Sequence, residues 1–190
     1  MNKTEVEASV EHMLTRGFGI DLSDENFKDT PTRVAKAYYE ILRGQDNNYL
    51  QAELLEIFSK SFPTEYHGIV AQHSIHTVGM CPHHMQPIQY YIDFGYIANK
   101  NAIGLSKIIR VVSLLSARMD LQETLTHNIV EVFKKYLNPD GVIVIVRGSH
   151  GCMTNRGVKQ PVLTTTSSVT GIFDTDSAAR AEFLSLSPLN

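Results

Sequence analysis

The sequence is poor in cysteine, in long apolar runs and in net charge, and each shortage excludes a class of protein. Two cysteines in 190 residues cannot form the disulfide framework of a small secreted protein. No apolar stretch reaches membrane-spanning length, and the charged start "MNKTEVEASVEH" is unlike a signal peptide. The net charge of -3, without any dense basic run, gives no sign of a nucleic-acid-binding surface. We therefore expect a cytoplasmic protein that binds neither membranes nor nucleic acid.

The first part of the chain has the pattern of helices. "TEVEASVEHMLTRGFGI" has apolar residues at helical spacing, and "YLQAELLEIF" predicts a third, short helix. Between them, "DTPTRVAKAYYEILRG" predicts a helix with Thr30 as its N-cap and Pro31 at its first position. "FPTEYHG" is interpreted as a linker. These features predict an N-terminal helical region over residues 1–62 and a second domain over residues 63–190.

From about Gly68 the pattern changes to strands and long helices. "GIVAQHSIHTVGM" and "IQYYIDFGYIANK" are β-branched or alternating, and "VIVIVRGSH" and "VLTTTSSVTGIF" predict two more strands. Between these pairs lie two segments with helical apolar stripes, which begin near Gly104 and Leu121. Strands, then two helices, then strands predict an α+β fold in which the helices pack on one face of a sheet.

Both cysteines lie close to histidines. Cys81 and His84 form a C-x-x-H pair, and Cys152 follows a predicted strand. If the strands before Cys81 and Cys152 share a sheet, two thiolates and an imidazole converge in a set that suits zinc and leaves a fourth position open. From spacing alone, two unrelated buried cysteines are the slightly better interpretation, because only C-x-x-H is local.

His83 and His150 are adjacent to or near these candidate ligands without being needed to complete a set of three. Either one could act as a general acid or base near neutral pH. The alternative is that each is an exposed or supporting histidine, which is the commoner case for a single histidine.

Two further segments carry charged or polar side chains at helix starts. "GLSKIIR" places Ser106, Lys107 and Arg110 where free backbone N–H groups favour an anion, and Arg156 could join them around a polyphosphate. The alternative for Lys107 and Arg110 is an ordinary solvated helix face. "MDLQETL" places Gln122 and Glu123 at the next helix start, where the carboxylate either complements the helix dipole or accepts N–H bonds from a guanine edge.

Taken together, these segments resemble the GTP cyclohydrolase I family. "CPHH" resembles its C-E-H-H element, "GLSKIIR" its G-L-S-K-x-x-R, "RMDLQETLT" its R-L-Q-x-Q-E-x-L-T, and "HGCMTNRGV" its H-x-C-M-x-x-R-G-V. "DTPTRVAKAYYEIL" is also similar to the family's T-P-x-R-V-A helix. Because these motifs occur in the family's order over nearly the whole chain, we now prefer a zinc site to two unrelated cysteines.

The resemblance implies a fold, a reaction and a role for each candidate residue. It implies the tunnelling fold, an antiparallel sheet with two helices on one face, assembled into a toroidal homodecamer with active sites at subunit interfaces. It implies zinc-assisted attack of water on C8 of GTP, release of formate and ring closure to 7,8-dihydroneopterin triphosphate. The implied zinc ligands are Cys81, His84 and Cys152, and the implied catalytic residues are His83 and His150. The implied substrate contacts are Gln122 and Glu123 for guanine, and Ser106, Lys107, Arg110 and Arg156 for the triphosphate and ribose side.

The sequence departs from the family pattern around one strand. Pro82 replaces the usual glutamate, "MQPI" replaces L-L-P-F, and Tyr90, Asp93 and Ala98 replace a usual glycine, histidine and proline. Pro82 fixes φ and removes an N–H, so we expect altered hydrogen bonding in this loop. Neutral divergence is one interpretation. The alternatives are a paralogue that gives a ring-opened or specialised-pathway product, and a non-catalytic homologue that only binds the nucleotide.

Overall fold

A four-stranded antiparallel sheet organises the chain, which a computed structural model describes over residues 1–186. The sheet has the strand order β2–β3–β5–β6. Its strands are β2 (Ile69–Met80), β3 (Pro87–Ile97), β5 (Gly141–His150) and β6 (Leu163–Gly171). The predicted α+β class and all four predicted strands are confirmed.

The N-terminal region is helical, as predicted. It contains α1 (Lys3–His12), α2 (Thr30–Ile41) and α3 (Asn47–Phe58), with a π-helical turn at Met13–Gly17 and a 3-10 turn at Arg43–Gln45. The predicted N-cap of α2 is wrong by one residue. Asp29 takes the cap position and Thr30 is already helical, so Pro31 is the second helical residue and not the first. Proline is tolerated there because the N–H groups of the first turn have no intrahelical partner.

Two long helices cover one face of the sheet. These are α4 (Leu105–Ser116) and α5 (Gln122–Leu137), and their apolar stripes face inward as their periodicity predicts. Ile108, Val111, Ile129 and Phe133 are fully buried there. α3 adds side chains such as Leu54 to the same hydrophobic cluster. The main core therefore lies between the sheet and these three helices.

The opposite face is also covered, which the sequence did not lead us to expect. After β6 the chain forms the short α7 (Ile172–Thr175) and then α8 (Ser177–Leu186). Phe173 and Phe183 from these helices are fully buried in a second cluster with Ile143 and Ile145. Both faces of the central strands β3 and β5 are consequently buried along much of their length.

A buried ion pair lies on this second face. The Asp93 carboxylate, 0% exposed, accepts hydrogen bonds from Nη1 of Arg147 at 2.7 Å and from the Ser74 N–H at 2.8 Å. Nδ1 of His73 lies 3.7 Å from the same carboxylate. Ser74 has a left-handed φ of 55° at an irregularity in the β2–β3 register between Gln72 and Ile75. Asp93 therefore ties this bulge to strand β5.

The predicted linker contains a short strand. Within "FPTEYHG", β1 (Phe62–Pro63) pairs antiparallel with β4 (Asn101–Ala102), so its first residues are not an irregular connection. The domain boundary expected between residues 62 and 63 stays a prediction. No helix in residues 1–186 is long and apolar enough to cross a membrane.

Candidate metal and substrate site

The strand order brings the two cysteines to one edge of the sheet. β2 and β5 are both antiparallel to β3, which lies between them, so they run in the same direction. Their carboxyl ends therefore meet at the same edge, where Cys81 directly follows β2 and Cys152 lies just beyond β5 in the short α6 (Gly151–Thr154). The register places Met80 opposite Pro87 and Ile88 opposite His150, which brings both ends together.

Cys81, His84 and Cys152 form a cluster that could hold a metal ion. Each offers one ligand atom, and these atoms lie within 4.8 Å of one another. Sγ of Cys81 lies 3.7 Å from Nδ1 of His84. Burial, followed by the neighbouring Cys81 thiol, raises the pKa of the Cys152 thiol, and the Arg156 charge opposes this rise. The predicted convergence of these three side chains is confirmed.

The backbone hydrogen bonds that close the loop from Cys81 to Gln86 do not involve Pro82. Two backbone hydrogen bonds close the turn: the Cys81 N–H donates to the Gln86 carbonyl and the Met85 N–H to the Cys81 carbonyl, both at 2.9 Å. Neither bond requires an N–H at position 82. Met85 adopts a left-handed φ of 51° where the chain turns back into β3. The loop therefore presents His84 to the cysteines with proline in place.

His150, the last residue of β5, has a half-buried imidazole that the protein holds from two sides. Its Nε2 lies 2.8 Å from Oε1 of Gln122, and its ring meets the Tyr90 ring edge-to-face at 6.4 Å. Burial lowers the pKa of His150, and the nearby Glu123 carboxylate acts in the opposite direction. Burial also raises the pKa of Tyr90, with smaller contributions from Cys81 and from two nearby carboxylates.

Several other predicted residues surround this centre. His83 is exposed in the turn, with its ring centroid 6.1 Å from that of His84. Glu123 is exposed in the first turn of α5, and Arg156 is exposed just after α6. Gln122 is different, because the residue is only 3% exposed and its amide nitrogen and oxygen are both hydrogen-bonded within the protein. A direct contact between Gln122 and guanine stays a prediction.

The predicted phosphate-binding residues on α4 lie in its first two turns, at the end of the helix that is far from Cys81. Nε2 of Gln72 donates to the Leu105 carbonyl at 3.2 Å, which fixes the helix start near the beginning of β2. The Met80 N–H donates to the Arg118 carbonyl just beyond the helix end, beside Cys81. Lys107 is therefore separated from the Cys81 end by about 14 Å of helix rise. Ser106 and Arg110 lie on the same first two turns, and Arg110 lines a cavity of about 330 Å³ beside α3.

The residues that hold Gln122 were not predicted from the sequence. Its amide donates to the carbonyls of Val146 and Thr164 and to the Thr166 hydroxyl, while Gly148 lies directly beside its oxygen. These contacts join α5 to β5 and β6, and depend on the strand register. No local sequence signal could have found them.

The fold and this centre define an α+β protein with a candidate Cys-His-Cys metal site beside a hydrogen-bonded histidine. The model of the family described as GTP cyclohydrolase I matches residues 6–187. The chain is 39% identical over 188 residues to GTP cyclohydrolase 1 of Carboxydothermus hydrogenoformans, covering 98% of this chain and 95% of that protein.

Two other relatives agree. Identity is 38% over 186 residues to GTP cyclohydrolase 1 of Bacillus subtilis, covering 97% of this chain and 95% of that protein. It is 37% over 182 residues to the Dictyostelium discoideum protein of that name, covering 95% and 76% respectively. The chain belongs to the GTP cyclohydrolase I family. The prediction of an enzyme of this family, made from the sequence motifs, is confirmed.

Proposed function

We propose that this chain hydrolyses GTP at C8, releases formate and closes the product to 7,8-dihydroneopterin triphosphate, with zinc as its cofactor and the tunnelling fold as its scaffold. The observation that carries the proposal is the convergence of Cys81, His84 and Cys152 beside His150 in a member of this family. The retained donors favour a working enzyme over a homologue that only binds the nucleotide.

The three donors fit zinc in type, and Cys81 and His84 also fit it in spacing. Two thiolates and an imidazole are borderline-soft ligands of the kind that zinc prefers. Zn–S bonds of about 2.3 Å and Zn–N bonds of about 2.0–2.1 Å place tetrahedral ligand atoms about 3.5–3.8 Å apart, and Cys81 Sγ lies 3.7 Å from His84 Nδ1. When bound with three protein ligands, zinc supplies a site at which the pKa of water falls to about 7.

The chain's own residues would bind GTP and move protons. Ring opening at C8 needs a proton at a purine ring nitrogen, and His150 and His83 are the histidines that would supply it. The exposed Glu123 carboxylate would accept the two N–H groups of the guanine edge, which adenine cannot offer. Arg156 would pair with the ribose and phosphate side.

The triphosphate site requires a second copy of the chain in this proposal. Ser106, Lys107 and Arg110 would bind the triphosphate, yet they lie on the far turns of α4 from Cys81 of the same chain. β2 and β6 are the edge strands of the sheet within residues 1–186, and such edges can pair with neighbouring copies. Both features support active sites that lie between subunits, and the resemblance to the family implies that these subunits form a toroidal homodecamer.

The experiment is formate release by zinc-loaded protein from GTP, with ATP as the matched substrate. We expect formate from GTP alone, its loss after chelation and its return with added zinc. Glu123→Gln should weaken the preference for GTP, because the amide places a donor where guanine also donates. Zinc-loaded protein that binds GTP and releases no formate would overturn the proposed reaction and favour a nucleotide-binding role.

A further inference from the structure

We propose that Gln122 is a positioning residue, which orients the His150 imidazole and keeps its proton on Nε2, so that Nδ1 is the basic atom of the neutral ring. The inference deepens the proposed function, because it concerns the histidine assigned there to proton transfer. It replaces a contact between Gln122 and guanine by one between Gln122 and His150.

The orientation of the Gln122 amide is fixed by its neighbours. Its nitrogen lies 3.0 Å from the Val146 carbonyl oxygen, 2.8 Å from the Thr164 carbonyl oxygen and 3.2 Å from the Thr166 hydroxyl. A carbonyl oxygen only accepts, so a flipped amide would set its own oxygen against two acceptors. The nitrogen must therefore face β5 and β6, and the oxygen must face His150.

This orientation decides where the His150 proton lies. Oε1 of Gln122 is an acceptor without a proton and lies 2.8 Å from Nε2 of His150. A bond at that distance requires an N–H on Nε2. A neutral imidazole carries one N–H, so its lone pair is then on Nδ1. The side chain of Gln122 thus selects one of the two tautomers of His150.

The support behind Gln122 is rigid. The residue is 3% exposed, and its backbone carbonyl accepts a hydrogen bond from the Thr126 hydroxyl at 2.7 Å. That hydroxyl lies 2.6 Å from the Thr166 hydroxyl, which also contacts the Gln122 amide. Gly148 leaves the space that the amide oxygen occupies, since a Cβ at position 148 would overlap with Oε1. A contact with guanine would have to break bonds in this network, whereas the neighbouring Glu123 is exposed.

Two variants perturb this contact in different ways. Gln122→Met removes the acceptor at nearly constant size, and Gly148→Ala keeps the amide but places a Cβ against both its oxygen and Nε2 of His150, which disturbs the contact between them. For both we expect kcat with GTP to fall about 10- to 100-fold, as for the loss of an orienting partner, with KM changed less than about threefold and zinc content unchanged. Thr165→Val is the matched control, because this exposed neighbour on β6 makes none of the hydrogen bonds to Gln122, and its kcat should stay within about threefold of the unchanged protein.

Separate effects on kcat and on KM distinguish a positioning role of Gln122 from a substrate-binding role. A raised KM with unchanged kcat in Gln122→Met would mean that this side chain binds substrate, and would overturn the proposal. Unchanged kcat and KM in both Gln122→Met and Gly148→Ala would overturn it as well. Circular dichroism and zinc content identify variants that fail to fold. If Gln122→Met is one of these, the kinetics of Gly148→Ala decide the proposal.

A second measurement does not depend on turnover. Nitrogen NMR of zinc-loaded, 15N-histidine-labelled protein reports which ring nitrogen carries the proton, and loss of a signal in His150→Asn assigns His150. We expect Nε2–H in the unchanged protein and loss of that single tautomer in Gln122→Met. A neutral His150 with its proton on Nδ1 would overturn the inference. If the protein released no formate from GTP, the proposed function would fail, while this signal would still decide the role of Gln122.

Discussion

The buried ion pair between Asp93 and Arg147 allows a quantitative prediction about stability. Asp93 is 0% exposed, whereas the Arg147 side chain is 22% exposed, so the two partners differ in access to water. In Asp93→Asn the guanidinium can turn toward solvent and the amide oxygen can still accept from Ser74. We therefore expect a loss of about 1.5–3 kcal/mol, the range for a hydrogen bond to a charged group.

Removing the other partner should cost more. Arg147→Met removes the positive charge that faces the buried Asp93 carboxylate, while the Ser74 N–H and the nearby His73 remain beside it. Breaking a buried pair in this way costs about 3–5 kcal/mol. In the double variant the two costs should not add, with a coupling of about 1–3 kcal/mol, because both changes remove the same interaction.

The assay is denaturant unfolding followed by circular dichroism, since the chain contains no tryptophan. Asp174→Asn, an exposed change near the second cluster, is the matched control and should stay within about 0.5 kcal/mol. Equal costs for Asp93→Asn and Arg147→Met, or additive costs in the double variant, would refute this reasoning.

The same pair predicts a pH dependence of stability. Burial alone would raise the pKa of Asp93, but the hydrogen bonds from Arg147 and Ser74 and the Arg147 charge lower it overall. The unfolded chain then binds the proton more tightly than the folded one. The contribution is therefore complete above the ordinary Asp pKa of about 3.9 and is lost as the pH falls below it through the lowered native pKa. Asp93→Asn should flatten this acid limb of the stability curve, and an unchanged limb would contradict the assignment.

Three further predictions concern the metal centre and the second core. Cys152→Ala should lose both zinc and formate release, since it removes one of the three proposed ligands, and normal zinc content by elemental analysis would refute the site. His150→Ala should keep zinc but lose turnover with GTP, and unchanged turnover would exclude its proton-transfer role. Phe183→Ala should lower the free energy of unfolding by about 3–5 kcal/mol, because the ring is fully buried against the sheet, and a loss below about 1 kcal/mol would mean that α8 is not part of the folded core.

Local patterns predicted most of the fold. The stripes of α4 and α5 and the apolar strand β5 each carry a strong periodic signal, and the structure confirms them. α8 was missed because "SAARAEFLSL" is short and weakly patterned, although Phe183 is fully buried. The burial of Asp93 was missed for the same reason, since α7 and α8 pack on that face of the sheet.

The candidate site was predictable only where its members are close in sequence or ordered by motif. Cys81 and His84 form a local pair, whereas their meeting with Cys152 depends on β2 and β5 running in the same direction. The bond from Gln122 to His150 depends on how α5 lies against β5, which no residue pattern encodes. The distance of Lys107 from Cys81 likewise follows from the packing of α4 along β2.

The most direct test of the central claim is one incubation of zinc-loaded protein with GTP in which formate and the pterin chromophore are measured together. The account predicts equal amounts of both, which would make Pro82 and the changed β3 residues tolerated divergence. Formate without pterin would contradict the proposed ring closure and direct attention to the altered strand. Neither product, with zinc bound, would contradict the proposed reaction itself.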